Sequence, residues 1–458
     1  MKILLTGAYG FIGSHIVAGL VAAGHKVVGC GRDIALGRRM IPHIDWIECD
    51  LNRDTAPANW IGRLDGVDAV INCAGILQSS AADDINAIHR HGPVALFEAC
   101  RAAGVGRVIQ ISALGVEPKA GKNIEPKAGT NKKPKAGTNK KPEVETSYAD
   151  SKRGADDALM AMDIDWIVLR PSLVYARNCY GGTALFRGLA ALPFAIPVPG
   201  LGNQRFQPIH MGDLVRAVLC LLEPDAPSRV VLSPVGPEPM TLRDILSGLR
   251  QWLGFGPAPV IGVPMGIVRL ASKLGDLMHW IGMRGSMRST ALNQMSRDNV
   301  ADMAPFARAV GFTPRRFADA LAAEPAGPQD RWHARLVFLR PLLRIVLGLF
   351  WLASGLITAF DPARSHAMAI LGQAGFGGGW ALAALCSGVA ADIMLGGLAL
   401  IDRHVRLAGM GMIAVTAGYL AILSLTIPEL WLDPLGPLVK TLPLIPAALI
   451  MMTLEDDR

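Results

Sequence analysis

Four apolar runs close the chain and constrain it more than any other feature: Pro341 to Phe360, Trp380 to Ile401, Leu407 to Pro428 and Leu435 to Leu454. Each is about 20 residues long, and at about 1.5 Å rise per residue such a helix spans a hydrocarbon layer of about 30 Å. Four in succession predict a helical membrane bundle over residues 341–458. Hydrophobic residues make up 51% of the sequence, yet the first 330 positions read like an ordinary globular protein, so the excess lies in this tail. The remainder divides into a folded domain over residues 1–325 and a polar linker over 326–340. Arg331, Arg335 and Arg340 precede the first run and Arg403 and Arg406 follow the second, whereas Glu429 and Asp433 lie between the third and fourth. Basic residues favour the cytoplasmic side, which predicts a multi-pass protein of a cell inner membrane with both termini cytoplasmic. Asp392 and Lys440 fall inside the runs. They form an internal pair or a site for a polar, lipid-soluble ligand, unless Lys440 extends to the interface and Asp392 bonds within the bundle.

The other half opens on a short β-type run, Lys2 to Thr6, with no basic and apolar leader before it, so the first domain is expected to stay in the cytoplasm. The run is followed by Gly7-Ala8-Tyr9-Gly10-Phe11-Ile12-Gly13 and then by an apolar-periodic helix from Ser14 to Ala23. Gly7 permits a tight turn, Gly10 lets the backbone approach a pyrophosphate, and Gly13 lets the helix pack on the strand. Free N–H groups and the helix dipole would hold the phosphates. The second strand, Lys26 to Cys30, ends in Gly31-Arg32-Asp33, with glycine where an acid would take a ribose 2′-hydroxyl and a cation beside it. That favours NADP(H) over NAD(H), although Asp33 keeps NAD(H) open. A third strand, Trp46 to Cys49, precedes Asp50-Leu51, and a fourth, Val67 to Gly75, ends in small residues including Ala74 and Gly75. Strands alternating with helices predict an α/β doubly wound parallel sheet.

Tyr148 and Lys152 stand four apart, one turn of one helix face, an arrangement suited to acid/base chemistry in which a lysine cation lowers a phenol pKa. The formal charge of +7 does not indicate nucleic-acid binding. Residues 117–143 hold eight Lys and three Glu, so most of it resides in this one low-complexity insertion, with Pro-Lys-Ala-Gly repeated every eight residues. The insertion has too few apolar residues to offset its ordering entropy, and in a membrane protein it could also meet anionic headgroups. Seven scattered cysteines give no metal or disulfide spacing. Met265 to Met283 is amphipathic and reads as a substrate-lobe helix or a membrane-surface helix.

Taken in order, Thr6 to Gly13, Asp50-Leu51, Asn72 to Gly75, Ile109 to Ser112, Tyr148 to Lys152, Leu169-Arg170-Pro171-Ser172 and Gln207 to Asp213 resemble the extended and atypical short-chain dehydrogenase/reductase family, the NAD-dependent epimerase/dehydratase-like group, over about the first 320 positions. The resemblance implies Tyr148 as acid/base, Lys152 as its tuner and a holder of the nicotinamide ribose, and Ser112 as the group that polarises a substrate oxygen. It implies cofactor contacts from Gly7 through Gly13 (Ala8, Tyr9, Phe11 and Ile12 included), Arg32, Asp50, Leu51, Ala74, Gly75, Lys152 and Pro171. The sequence departs from that pattern at Ala113, His89, Ala176 and Gly212, and His89 reads as a packing or surface residue. Residues from Arg340 onward are similar to the DoxX-like family through Asp392 to Gly397 and Asp433 to Pro443. Together the resemblances imply a membrane-anchored NADP(H)-dependent oxidoreductase or epimerase-like enzyme acting on a hydrophobic or lipid-linked substrate. The alternative, carried by Leu292 to Val300, which resembles the complex I accessory-subunit branch, is a nucleotide-binding scaffold or assembly factor of a membrane complex. Lipid, and no nucleic acid, is the expected partner.

Overall fold

The computed structural model describes residues 1–76, 79, 83–116, 147–179, 181–280, 297–401, 404–434 and 436–455. The Lys-rich insertion, most of Leu292 to Val300, and Arg403 lie outside them. The chain forms two compact units, Met1–Arg269 with Ser289–Arg331 and Leu270–Arg288 with Trp332–Arg458.

The first unit is built on alternating strands and helices: β1 (Lys2–Thr6), α1 (Phe11–Ala22), β2 (Lys26–Gly31), α2 (Ile34–Met40), β3 (Asp45–Glu48), α3 (Ala58–Ile61), β4 (Ala69–Asn72), α4 (Gly92–Ala103), β5 (Arg107–Ile111), α5 (Ser147–Met160) and β6 (Trp166–Leu169). A π-turn, Ala87–His91, leads into α4. There follow β7 (Val174–Tyr175), α6 (Gly182–Ala190), β8 (Ile196–Pro199), β9 (Arg205–Phe206), β10 (Ile209–His210), α7 (Met211–Leu222), β11 (Val230–Leu232), β12 (Met240–Thr241), α8 (Leu242–Trp252), β13 (Val260–Val263), α9 (Met265–Trp280), which belongs to the second unit from Leu270 on, α10 (Ala304–Val310) and α11 (Phe317–Ala323). The main sheet has seven strands in the order β3-β2-β1-β4-β5-β6-β11, every pairing parallel. Strands buried on both faces need apolar side chains at every position, and β1, β4 and β6 show this, with Ile3, Leu4, Leu5, Val70, Ile71, Ile167 and Val168 all buried. The order reverses between β1 and β4, opening a crevice at their C-terminal ends.

A second lobe packs Tyr175, Phe186, Ile196, Val198, Phe206, Ile245, Leu249 and Phe317 into its own core. Its helix α8 begins at a reciprocal capping box made by Thr241 and Asp244.

The second unit contains α12 (Pro328–Thr358), α13 (Ala363–Gln373), α14 (Gly378–Leu400), α15 (Val405–Thr426) and α16 (Leu444–Leu454). Three of these, α12, α14 and α15, are long and apolar enough to cross a membrane. Two expectations change. From Pro328 on, the expected linker is the start of α12, which runs unbroken through Pro341. The fourth run is not one 20-residue helix: Pro434, Pro437 and Pro443 each lack a backbone donor, and the segment makes a 3₁₀ turn at Val439–Thr441 before the 11 residues of α16. Lys440 is exposed on that turn, so the membrane-depth pair with Asp392 does not form. Asp392 instead accepts from Ser354 Oγ at 2.8 Å.

Close helix contact in this unit comes from small residues. A Cβ on Gly396 would lie 2.7 Å from Gly348 O, and one on Gly348 would lie 2.7 Å from Leu400 Cδ2. Buried Arg344 donates from Nε to Ala399 O and from Nη2 to Leu400 O, both at 2.7 Å, satisfying carbonyls at the C-terminus of α14. Glu455, past the end of α16, pairs with Arg340 at 3.1 Å and Arg344 at 3.7 Å. The start of the apolar part of α12, the end of α14 and the end of α16 therefore meet at one end of the bundle, and the shortened fourth segment still brings the chain back.

Candidate active site

The crevice is lined first by the glycine loop. Gly7 takes φ +67°, and a Cβ there would come within 3.0 Å of the backbone of Cys73 and Ala74 at the end of β4. A Cβ on Gly13 would lie 2.2 Å from Gly7 O. Gly10 is the N-cap of α1, which starts three residues earlier than the periodicity suggests, and its N–H donates to Gly7 O at 2.9 Å. Because α1 starts inside the loop, its first N–H groups face the cradle where a pyrophosphate would sit. Ala8 is fully buried, while Phe11 and Ile12 pack against the core.

At the end of β2 the Tyr9 ring covers Gly31, where a Cβ would come within 2.3 Å of Cε1. Arg32 Nη1 is 2.5 Å from Asp83 Oδ1. Asp33, the acid left open for an NAD ribose, caps α2 by accepting from Leu36 N at 2.8 Å through Oδ1. Asp50 is held in a turn by Asn52 N at 3.0 Å, and Leu51 is buried against Gly92. Across the strand ends, Thr6 Oγ1 donates to Asn72 Oδ1 at 2.5 Å and Asn72 Nδ2 donates to Gln110 Oε1 at 2.7 Å, which ties β1, β4 and β5 together.

The predicted Tyr148 and Lys152 both lie on α5. Buried Lys152 donates from Nζ to Ala74 O and to Ile111 O, each at 3.2 Å, so its cation sits on the ends of β4 and β5 and 3.1 Å from where a Gly75 Cβ would be. Burial pulls the ammonium down from the usual lysine range, with Asp156 and Cys73 opposing. The expectation that Lys152 lowers the Tyr148 pKa is not met. Burial, reinforced by Asp156, pushes the phenol up to about 12. Ser112 differs as well: its Oγ donates to Asp156 Oδ2 at 2.8 Å rather than into the crevice. Asp156 is fully buried and also accepts from Arg170 Nε at 3.0 Å. Burial raises this carboxyl, opposed by Arg170 and Ser112. Pro171, after β6, accepts from Leu114 N at 3.0 Å through its carbonyl.

His89, expected as a packing or surface residue, is buried at the centre of this arrangement. Its Nε2 accepts from Ile76 N at 2.9 Å, which makes Nδ1 the protonated nitrogen of a neutral ring. Nδ1 is 2.9 Å from Ser151 Oγ, whose hydroxyl donates to Tyr148 O at 2.9 Å. The imidazole stands edge-on to the Tyr148 ring, 5.2 Å between centroids. Burial, with the Lys152 charge adding, pulls its pKa down to about 2. One sequence signal could have pointed to it: His89 lies on the turn that enters the helix following β4, whose end lines the crevice.

A separate cleft of about 480 Å³ is lined by His15, Arg177, Asn178, His210, Glu324 and Asp330, and none of Tyr148, Lys152 or Ser112 borders it. Beside it, Arg315 donates to Asp213 and His210, which fixes the start of α7.

The family model for the NAD dependent epimerase/dehydratase family matches residues 3–232, half of the chain, and the model for the DoxX-like family matches residues 348–449. Among curated relatives, a ceramide reductase of Caulobacter vibrioides is 27% identical over 259 residues, covering 56% of this chain and 71% of the relative. A 2-alkyl-3-oxoalkanoate reductase of Stenotrophomonas maltophilia is 25% identical over 262 residues, covering 56% and 76%. Among solved structures, MoeE5 in complex with UDP-glucuronic acid and NAD superposes with a TM-score of 0.51 at 21% identity, covering 70% of this chain and 97% of that one. The UDP-glucuronic acid 4-epimerase of Bacillus cereus gives 0.51 at 19%, covering 74% and 100%. These structures share the fold of the first unit. With its glycine loop at the switch point of a seven-stranded parallel sheet, this chain belongs to the NAD dependent epimerase/dehydratase family and carries a DoxX-like helical region behind that domain.

Proposed function

We propose that the protein is a membrane-anchored reductase that uses a nicotinamide dinucleotide, NADP(H) in preference to NAD(H), to reduce the carbonyl group of a hydrophobic or lipid-linked substrate. The observation that carries this reading is the placement of Tyr148 and Lys152 one turn apart on α5, with the Lys152 ammonium held on Ala74 O and Ile111 O at the ends of β4 and β5. The phenol, raised by burial, carries its proton at neutral pH as any tyrosine does, and so can deliver it to a carbonyl oxygen. Held by the glycine loop and Lys152, a nicotinamide dinucleotide would supply the hydride that the carbonyl carbon takes up. Tyr148 Oη gives its proton to the oxygen, the C=O double bond becomes a C–H and an O–H bond, and the phenolate is reprotonated from solvent. Lys152, a cation fixed on Ala74 O and Ile111 O, would stabilise that transient phenolate, and its remaining N–H would hold a ribose hydroxyl of the cofactor. His89 acts as a positioning residue, holding Ile76 and, through Ser151, the first turn of α5. Relatives named for the reduction of a ceramide and of a 2-alkyl-3-oxoalkanoate support an alkyl-chain substrate. The helices α12, α14 and α15 favour one that dissolves in lipid.

A second reading is favoured by Ser112. Its hydrogen is committed to Asp156 and its neighbour is Ala113, so no hydroxyl of that strand end is free to polarise a substrate, as befits a cofactor-binding scaffold. One experiment separates the two: NADPH oxidation by detergent-solubilised protein with long-chain 3-oxo compounds, lipid aldehydes, quinones and sugar nucleotides, comparing wild type with Tyr148→Phe. The reductase reading requires turnover that falls by about 10² to 10⁴ in the variant while NADPH binding persists. Binding without turnover on every substrate in either form favours the scaffold.

A further inference from the structure

From Ile345 to Thr358, through α14 and from Leu407 to Thr426, Asp392 is the only charged residue. It stands fourteen residues after the start of α14 and eight before its end. These spacings correspond to about 21 Å and about 12 Å along the axis, well inside a hydrocarbon layer of about 30 Å. A carboxyl at that depth is costly, and such groups are kept where something uses them. Asp392 is 8% exposed, and one of its oxygens is accounted for: Oδ2 accepts from Ser354 Oγ of α12 at 2.8 Å. Oδ1 is buried with no hydrogen-bond partner among the described residues. Holding Ser354 needs a single acceptor, so the second oxygen has no structural duty, and an orphaned buried oxygen destabilises a fold. Glycines draw the neighbouring helices in around it. A Cβ on Gly355, beside Ser354, would lie 3.0 Å from Asp392 Cβ. Gly388 precedes Asp392 by one turn on the same face of α14, and a Cβ there would lie 2.7 Å from Tyr419 Oη of α15. Tyr419 is 46% exposed, so the notch that its hydroxyl borders opens at the side of the bundle.

We propose that Asp392, Ser354 and Tyr419 form a binding site within the helical bundle for a lipid-soluble molecule that carries a hydroxyl group. The acceptor left on Asp392 selects that chemistry. Ionised, Oδ1 needs a donor; protonated there, it needs an acceptor. A hydroxyl supplies both from one atom, which the oxygen of an ether, an ester or a ketone does not. Tyr419 Oη, one turn away, adds a second group that donates and accepts, and Ser354 fixes the carboxyl through its other oxygen. The three polar side chains come from α12, α14 and α15, the helices long and apolar enough to cross a membrane, so a ligand dissolved in the bilayer reaches them from the side. The site lies wholly within the second unit, and the inference does not depend on which reaction the first unit performs.

The test uses the full chain in phosphatidylcholine nanodiscs with a hexadecanol probe that carries a diazirine near its hydroxyl end, and the methyl ether of that probe as the matched control. After irradiation, adducts are mapped on the peptides that contain Asp392 and Tyr419, relative to a peptide of α16. The expected result is labelling by the alcohol about threefold to tenfold above the ether, the worth of one hydrogen bond, and saturable by unlabelled hexadecanol. Asp392→Leu and Tyr419→Phe, each eluting from a sizing column as wild type does, should lower the yield by a similar factor. If the first variant does not assemble, the second still decides, because it removes one oxygen from a half-exposed ring. Displacement by dioleoylglycerol as well as by hexadecanol points to a membrane lipid as the occupant, and displacement by hexadecanol alone to a single-chain alcohol; either supports the site. Equal labelling by alcohol and ether, labelling that does not saturate, or a yield on Tyr419→Phe equal to that on wild type would overturn the proposal.

Discussion

At the scale of single residues the site is governed by burial acting on ionisable groups. His89 shows this most directly. It is neutral when folded, with its pKa pulled to about 2, whereas in the unfolded chain it titrates near the usual value of about 6.5. Between those values the unfolded chain binds the extra proton, so this contribution to stability is full above about pH 6.5 and is lost as pH falls below it, by up to about 1.4 kcal/mol per pH unit. His89→Gln removes the titration. The difference in Tm between wild type and variant should therefore shrink steadily from pH 7 to pH 5, and parallel curves would show that the imidazole is not held neutral. Arg32 gives a second residue-level expectation. A 2′-phosphate must take it from Asp83, and a charge-assisted bond of about 1.5–3 kcal/mol makes Arg32→Ala roughly tenfold or more weaker for NADPH and unchanged for NADH. Equal loss for both cofactors, read by titration calorimetry, would remove the case for NADP(H) preference. The place of Arg32 after β2 was legible from its neighbours in the chain, while its pair with Asp83 was not. The role of His89 was not, because its partners Ile76 and Ser151 lie 13 and 62 residues away. Ser112 was misread for the same reason, its acceptor Asp156 standing 44 residues on.

At the scale of elements, the parts that could be read in advance are those whose conformation is decided locally. The glycine loop, the capping box at Thr241 and the parallel strands follow from backbone sterics, side chains that bond their own backbone, and runs of apolar residues. The β1–α1 junction depends on a missing side chain. Gly13→Ala forces a Cβ to within 2.2 Å of a carbonyl oxygen, so α1 must lift from β1 at a cost of about 1–3 kcal/mol, and the phosphate cradle opens with it. Gly62→Ala is the matched control, because Gly62 has an ordinary φ of −68° and nothing within 4 Å of the added methyl. The first variant should lose NADPH affinity and several degrees of Tm, while the second keeps both. A Gly13→Ala protein with unchanged affinity would mean that the loop tolerates a different packing. The fourth apolar run was misjudged because its prolines sit among leucines in an apolar stretch yet cannot donate to a helix.

For the whole molecule, the open question raised by that broken run is how many times the chain crosses the bilayer. An 11-residue helix reaches about 16 Å, roughly half of a hydrocarbon core, which by itself argues for three crossings and a C-terminus on the far side. The ion pairs argue for four. Glu455 lies 3.1 Å from Arg340 and 3.7 Å from Arg344, and Arg344 also holds the last carbonyls of α14, so the chain end returns to the side from which α12 departs. The 3₁₀ turn and its flanking loop supply the length that α16 lacks. Arg340, Arg344 and Arg406 concentrate basic charge at or near that same end, so the cytoplasm is the side expected for it. Reporter fusions at Asp433 and after Arg458 test the count. A reporter active only outside the cytoplasm should work at Asp433 and stay silent at the C-terminus. Activity at the C-terminus would leave three crossings and require the Glu455 pairs to break in the membrane. Weakening those pairs with Glu455→Gln sharpens the comparison: if the return depends on them, the C-terminal reporter gains partial activity in that variant alone.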